Sequence, residues 1–340
     1  MMLRPFSAAL LATLAASLAG CATAAPSQTI DQQVPRTAGP LEQAEGTFRF
    51  AIFGDRTGAH RPGVFADAMR KLDLMKPDFV ISVGDLVEGY TEDEAEIRRQ
   101  WNEVEARLAV LDAPVFFIAG NHDYSNAAMA RIWKERRGSP YWSFVHDGVL
   151  FLGLSTEDPP VALSPETLTS SHQLEAAMAR APEQTQARLL DAVRERGGAP
   201  KLPGAVAISK AQVEFVRHEL GRHRDVRWTL VVMHKPAWQY DSAAFAQIEE
   251  MLADRPYTVV AGHEHYYTHE VRNGRDYIVM GTTGGVWLQD GPGRVDHVAW
   301  VTMTEEGPVI ANIRTDRLFP KEGPGQPTSM PDGGAISSGQ

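Results

Sequence analysis

Gly120-Asn121-His122-Asp123 follows directly on Pro114-Val115-Phe116-Phe117-Ile118-Ala119, a short β-branched and aromatic run. Such a run predicts a buried strand. A strand that ends in Gly and then in ligand-capable side chains places chemistry at a sheet edge. The pattern recurs along the chain. Phe48–Phe53 ends in Gly54-Asp55, Phe79–Val83 in Gly84-Asp85, Trp228–Met233 in His234, and Tyr257–Ala261 in Gly262-His263-Glu264-His265. Ligands of open α/β sheets bind beyond the carboxyl ends of the strands. Strands that deliver Asp, Asp, Asn-His, His and His-x-His to such an edge predict a metal centre and an enzyme.

Between these strands the apolar period changes. Phe65, Met69, Leu72 and Met75 repeat at helical spacing, as do Ile97, Trp101, Val104 and Leu108 behind a capping box at Thr91–Glu94. Further helices are expected from Asn126 to about Arg137, behind a second capping box at Ser209–Gln212, and over Phe245, Ile248 and Leu252. Tyr141–Val145 and Val149–Leu154, joined at Asp147-Gly148, predict a hairpin. From Tyr277 the pattern is β, at Tyr277–Met280, His297–Met303 and Val309–Ile313. The alternation argues an α/β fold. His146 reads as a turn residue and His297 as a structural one. Residues 158–207 break the rhythm, with short helices expected at Gln173–Arg180 and Glu183–Glu195 around Pro182. A segment this long is an insertion near the site mouth, as a lid, or a surface decoration.

The 340 residues are 43% hydrophobic with a net charge of −10. This suits a globular chain with a large core, and it argues against a nucleic-acid partner. The first residues differ. Arg4 and the apolar stretch Phe6–Leu18, too short to span a bilayer, lead into Leu18-Ala19-Gly20-Cys21. This resembles a bacterial lipoprotein signal. It implies removal of residues 1–20 and lipidation of Cys21, the only cysteine. The protein would then be an exported cell-envelope lipoprotein, its partner the membrane reached through acyl chains. In a Gram-negative cell it would sit on the periplasmic face of the outer membrane. An ordinary signal peptide cut near Ala22-Thr23-Ala24 is the other reading. Residues 21–45 predict a flexible tether and 320–340 a disordered tail, leaving 46–319 as the folded domain.

Carboxylates, an Asn carbonyl and imidazoles suit ions such as Mn, Fe or Zn. At i and i+2, His263 and His265 face one side while Glu264 faces the other. The ordered set Gly-Asp, Gly-Asp, Gly-Asn-His-Asp, His and Gly-His-x-His resembles the calcineurin-type metallophosphoesterase superfamily from roughly Thr47 to Thr315, the insertion excepted. The resemblance implies a four-layer α/β/β/α sandwich of two mixed sheets. It also implies hydrolysis of a small-molecule phosphate mono- or diester by a hydroxide that bridges two divalent ions. Asp85 would bridge, Asp55 and His265 would hold the first ion, and Asn121, His234 and His263 the second. His122 and Asp123 would be catalytic, with His122 beside the leaving oxygen as general acid or transition-state donor. A nucleotide or pyrophosphate hydrolase, or a non-catalytic metal-binding envelope protein, would use the same fold.

One motif departs from the superfamily. Its usual Asp-x-His is Asp55-Arg56-Thr57 here, and a threonine hydroxyl is a poor ligand. Purple acid phosphatases also lack that His and place a Tyr three residues after the bridging Asp, where this chain has Glu88. In the Ser/Thr phosphatases an acid at that place bonds the catalytic His. Glu88 therefore reads as a replacement metal ligand or as the partner of His122, with His60 a third candidate for the gap. Arg56 has the planar fork that suits a substrate phosphate oxygen; its other reading is a surface ion pair. Trp238, Tyr240, Tyr266 and Tyr267 read as a pocket floor or as packing.

Overall fold

Alternate residues of the central strands divide their side chains between two apolar environments, and this produces the layers. The structure, a computed structural model, describes residues 46–198, 202 and 204–317. The predicted signal at 1–20, Cys21, the tether and the tail at 320–340 lie outside them. In chain order the elements are β1 (Phe48–Phe53), α1 (Val64–Leu74), β2 (Phe79–Ser82), α2 (Glu94–Leu108), β3 (Val115–Phe117), α3 (Ala127–Arg137), β4 (Trp142–His146) and β5 (Val149–Gly153). Then follow α4 (Pro165–Arg180), α5 (Pro182–Arg196), α6 (Lys210–Arg222), β6 (Trp228–Val232), α7 (Ala243–Leu252), β7 (Tyr257–Ala261), β8 (Thr268–Arg272), β9 (Arg275–Val279), β10 (His297–Thr304) and β11 (Gly307–Arg314).

The strands form two mixed sheets, in the orders β11-β10-β1-β2-β3 and β4-β5-β6-β7-β9-β8. β1, β2 and β3 are parallel, and so are β5, β6, β7 and β9, with antiparallel strands at the flanks. Phe50, Ile52, Phe79, Ile81, Phe151, Leu230, Val232, Val260 and Ile278 share one cluster between the sheets. Their strand neighbours point outward. Ala51, Phe53 and Val80 pack under α1, α2 and α3 with Met69, Trp101 and Trp133. Val231, Tyr257, Val259 and Tyr277 pack under α6 and α7 with Val216, Leu220 and Ile248. Strands apolar on both faces, with helices outside, make the expected α/β/β/α sandwich. The parallel strands end together, so the residues after β1, β2, β3, β6 and β7 converge on one edge.

Local chemistry explains the boundaries, with some differences from the sequence reading. The cap of α2 is Asp93, which accepts from the N–H groups of Ala95 and Glu96, while the Thr91 hydroxyl accepts from Asp93 N–H. Ser209 caps α6 by accepting from Gln212 N–H, but Gln212 bonds the backbone of Ser155 rather than closing a box. The β4–β5 turn has positive φ at Asp147 and Gly148, the pair that the favoured hairpin turn requires. α4 starts at Pro165, well before the expected Gln173, because Ser164 caps it and Pro165 fits a first helical turn. β8 was not anticipated, since all of its residues are exposed and no apolar alternation marks it. His297 is structural, as expected. It is buried in β10, where its Nε2 accepts from Gly281 N–H at 2.8 Å.

Candidate metal centre

Each ligand-type residue sits just past a strand end, where the chain passes close to its neighbours. A Cβ at Gly120 would stand 2.1 Å from Asp85 Oδ1, and one at Gly262 would stand 2.3 Å from Asp55 Oδ2. This contact is why glycine precedes the polar residues. The backbone is bent hard here, with φ of 52° at Asp55, 56° at Asp85, 76° at His263 and 52° at His265. Each such residue costs on the order of 1–3 kcal/mol. The apolar layers behind offset that, at about 1.5–3 kcal/mol for each large side chain fully buried.

Two groups of side chains converge. Asp85, His234 and His263 present ligand atoms within 4.8 Å of one another, as do Asp55, Asp85 and His265. Asp85 belongs to both and stands between them. Asn121 joins the first group, its Oδ1 3.0 Å from His234 Nε2. The histidines are oriented from behind. His234 Nδ1–H donates to Val83 O at 2.9 Å and His265 Nδ1–H to Val286 O at 2.6 Å, so each turns Nε2 with its lone pair inward.

The donor set fits metal ions. His234 Nε2 faces Asn121 Oδ1, Asp85 Oδ2 at 3.2 Å and His263 Nδ1 at 3.2 Å. With His234 protonated these contacts are hydrogen bonds, and the proton on Nε2 stands where a cation would share the same oxygens and nitrogens. Asp55 Oδ2 and His263 Nε2 are buried with no hydrogen-bond partner among the described residues. Such an arrangement is stable around a cation. The proton equilibria agree. Burial opposes charge on His234, but Asp85 and Asp55 outweigh it and push the imidazole up to about 9, so the cluster favours a positive charge at that place. Burial pushes the His265 imidazole down to about 4, and burial together with the neighbouring His234 lowers His263 well below its ordinary value. Both are neutral and ready to act as ligands. Burial also works against ionisation of Asp85, but His234, His122 and His263 hold its carboxyl below the usual range.

His122 lines one cavity with Asp85, Asn121, His263 and His265. Its Nδ1–H donates to the backbone carbonyl of Glu88 at 2.7 Å and its N–H donates to Asp85 Oδ1 at 2.9 Å. Tyr90, which the sequence reading missed, also lines the cavity. Its hydroxyl oxygen accepts from Asn121 Nδ2, and its ring lies 4.3 Å from that of His122. No motif marks Tyr90.

Several sequence expectations are corrected. Asp123 does not face the cavity as a catalytic group. Its carboxylate is fully buried and accepts from the N–H groups of Asp85, Gly120, Leu86 and Val87 at 2.7, 3.0, 2.9 and 3.1 Å. Glu88 belongs to neither ligand group. It accepts from Ala59 N–H, His60 N–H and His60 Nδ1, and so holds the loop before α1. It supports His122 through its backbone carbonyl, not its carboxylate. His60 is spent on Glu88 and does not fill the gap at Thr57. Arg56 is buried, its Nη1 donating to Leu86 O at 2.8 Å and its Nη2 to Glu103 at 2.7 Å, and it does not line the cavity of the ligand groups. Tyr240 bonds Glu264, and Trp238 packs on Phe245 and Tyr277, so these aromatics are packing.

The segment 158–207 covers the centre. Its neck is closed by hydrogen bonds between Asp158 and Ala207 and between Ala207 and Thr156, and by the buried pair of Lys235 and Glu157 at 2.8 Å. Gln186 of α5 bonds both backbone groups of Trp287 at 2.9 Å, and Arg194 pairs with Asp290 at 2.7 Å. Leu174 and Leu189 of this segment line the cavity that contains Asp85, Asn121, His122, His263 and His265.

Solved structures resemble this chain in fold. A dimetal phosphatase from Danio rerio matches with a TM-score of 0.50 at 15% identity, covering 79% of this chain and 99% of that one. A purple acid phosphatase from yellow lupin (Lupinus luteus) seeds matches at 0.52 and 13%, covering 82% and 53%. PhoD matches at 0.53 and 11%, covering 79% and 69%. No curated protein matches the chain in sequence. Residues 48–267 match the Calcineurin-like phosphoesterase family, from the first strand through the last of the histidine ligands. With that match across most of the chain, and with paired Asp/His clusters at the strand ends, the chain belongs to the calcineurin-like phosphoesterase family and is a metal-dependent phosphoesterase with a dinuclear metal-binding site.

Proposed function

We propose that this protein hydrolyses a small-molecule phosphate ester at the Asp85 cluster, with Asp55, Asp85 and His265 holding one divalent ion and Asp85, Asn121, His234 and His263 the other. The observation that carries this assignment is the place of Asp85 in both ligand groups. The ions, when bound, supply a water-derived nucleophile at neutral pH and neutralise charge developing at phosphorus.

The chain's own residues do the rest. His122, fixed through Nδ1 on the Glu88 carbonyl, presents Nε2 near Gly58 and His265 in the cavity. In its imidazolium form, with Nε2 protonated as well, it would donate to the leaving oxygen, as acid or as hydrogen-bond donor. Tyr90 orients the Asn121 amide so that Oδ1 faces the cluster. Asp123 gathers the Asp85 and Gly120 loops by their backbone N–H groups. Hydrolysis of a chromogenic phosphate monoester and the matching diester, with metal removed and then restored, tests this reading. Metal-dependent turnover that is lost in Asn121→Ala supports it, and metal-independent turnover contradicts it.

The envelope location belongs to the same proposal. Leu18-Ala19-Gly20-Cys21 after an apolar stretch supports export and lipidation at Cys21. Among the described residues no helix is long and apolar enough to cross a membrane. Mass spectrometry of the membrane-extracted protein tests the anchor. A diacylglyceryl adduct on an N-terminal Cys21 is the expected result, and an unmodified thiol contradicts it.

A further inference from the structure

The cavity over the metal-ligand clusters, about 370 Å³, is of the size that holds a small molecule. Asp85, Asn121, His122, His263 and His265 line it. Leu174, Leu189, Val286 and Leu288 contribute carbon to the rest. These four share a satellite cluster with Ala59 and Met178, separate from the three main apolar clusters. Leu174, Leu189 and Leu288 are only half-buried, so part of each remains uncovered. α4 and α5 thus bring Leu174 and Leu189 to the metal centre, beside the hydroxyls of Thr167, Ser170 and Ser171 and the Arg196 side chain.

We infer that the ester hydrolysed here is that of an apolar alcohol, a small alkyl or aryl chain, with its phosphate on the metal ligands and its chain against this leucine wall. The inference rests on the phosphoesterase reading above and adds the substrate class. Covering the leucines with carbon removes apolar surface from water on both partners. A sugar or a nucleobase gains no hydrogen bond from the faces of these leucines, so heteroatoms set against them count against binding. Of the polar residues that α4 and α5 contribute, Ser170 and Arg196 are exposed and stay hydrated, and Thr167 and Ser171 are half-buried.

Binding of a methyl, butyl, hexyl and octyl phosphonate series to the manganese-loaded full chain tests the inference, with adenosine monophosphate as competitor. Affinity is expected to rise about fourfold for each added methylene until the wall is covered. In Leu174→Asn and Leu189→Asn the slope against chain length is shallower, and the slope is the readout, because a general loss of activity does not mimic it. Affinity that is flat with chain length, or adenosine monophosphate binding better than octylphosphonate, overturns the inference. Phosphate release from phenyl phosphate reports on the phosphoesterase reading separately. Release with a flat series sinks only the apolar wall, whereas a rising series without release keeps the wall and sinks hydrolysis. Displacement of octylphosphonate by phosphatidic acid vesicles assigns the chain to a lipid, and displacement by soluble esters alone assigns it to a free small molecule; both uphold an apolar chain.

Discussion

Asp123 holds Asp85 by its backbone: the Asp123 carboxylate accepts the Asp85 N–H at 2.7 Å, and the Asp85 carboxylate is thereby placed between the two ligand groups. The same carboxylate also binds the N–H of Gly120, just before Asn121. One buried acid therefore sets the positions of two strand-end loops. In Asp123→Asn only one oxygen remains for four N–H donors. The expected loss is about 2–3 kcal/mol of stability, with weaker retention of metal. Denaturant titration and metal analysis check this, and a variant of normal stability with full metal content contradicts it.

Arg56 serves the fold, not the substrate. It joins the Leu86 carbonyl to Glu103 of α2 from a buried position. Arg56→Ala is expected to lower stability by about 2–4 kcal/mol and to leave the KM of the folded enzyme near the wild-type value. A large rise in KM at unchanged stability would place Arg56 on the phosphate instead.

Tyr90 acts through Asn121. Without its hydroxyl oxygen, Asn121 Nδ2 loses its partner and the amide is free to turn. Tyr90→Phe is expected to weaken the ion on the Asn121 side by about 10–100-fold. Activity measured against metal concentration should shift accordingly and recover at high metal. Loss that excess metal does not restore would point to a direct contact of Tyr90 with substrate.

The two ions should leave in order. Asp55, Asp85 and His265 lack the added Asn and second imidazole of the other group, and Thr57 replaces a usual ligand. Chelator titration is expected to remove one ion per chain before the second. Full removal should lower Tm, since each ion at a hundred times its Kd contributes about 2.7 kcal/mol, or roughly 5 °C per ion in a domain of this size. Loss of both ions in one step contradicts the asymmetry.

His297 makes stability pH-dependent. Burial pushes its imidazole down to about 4, and Nε2 must stay unprotonated to accept Gly281 N–H. Unfolded, it titrates near the ordinary value of about 6.5. The unfolded chain thus takes up the proton first. The stability contribution is present above about pH 6.5 and lost as pH falls toward 4. Melts between pH 7.5 and 5 should show Tm falling less steeply in His297→Gln than in the wild type. Equal slopes would remove His297 from the account.

The strand ends were legible because sterics write them into the sequence. Gly120 and Gly262 are glycine since a Cβ would strike Asp85 and Asp55, and both-faced apolar strands announce a sandwich interior. The misread residues share one cause. Adjacency in sequence does not say which way a side chain points, so Arg56 and Asp123, each beside a ligand, looked functional although one faces α2 and the other faces backbone N–H groups. The leucine wall was hidden because nothing in the sequence marks Leu174 and Leu189 apart from the other residues of their helices. Only the fold of α4 and α5 over the centre shows that they line the cavity.

The central claim is a two-ion centre bridged by Asp85, and metal stoichiometry tests it most directly. Manganese-loaded wild-type protein, freed of excess ion, should carry two ions per chain, Asp55→Ala one, and Asp85→Ala neither in tight association. Two ions retained in Asp85→Ala, or a single ion in saturated wild type, would contradict the account.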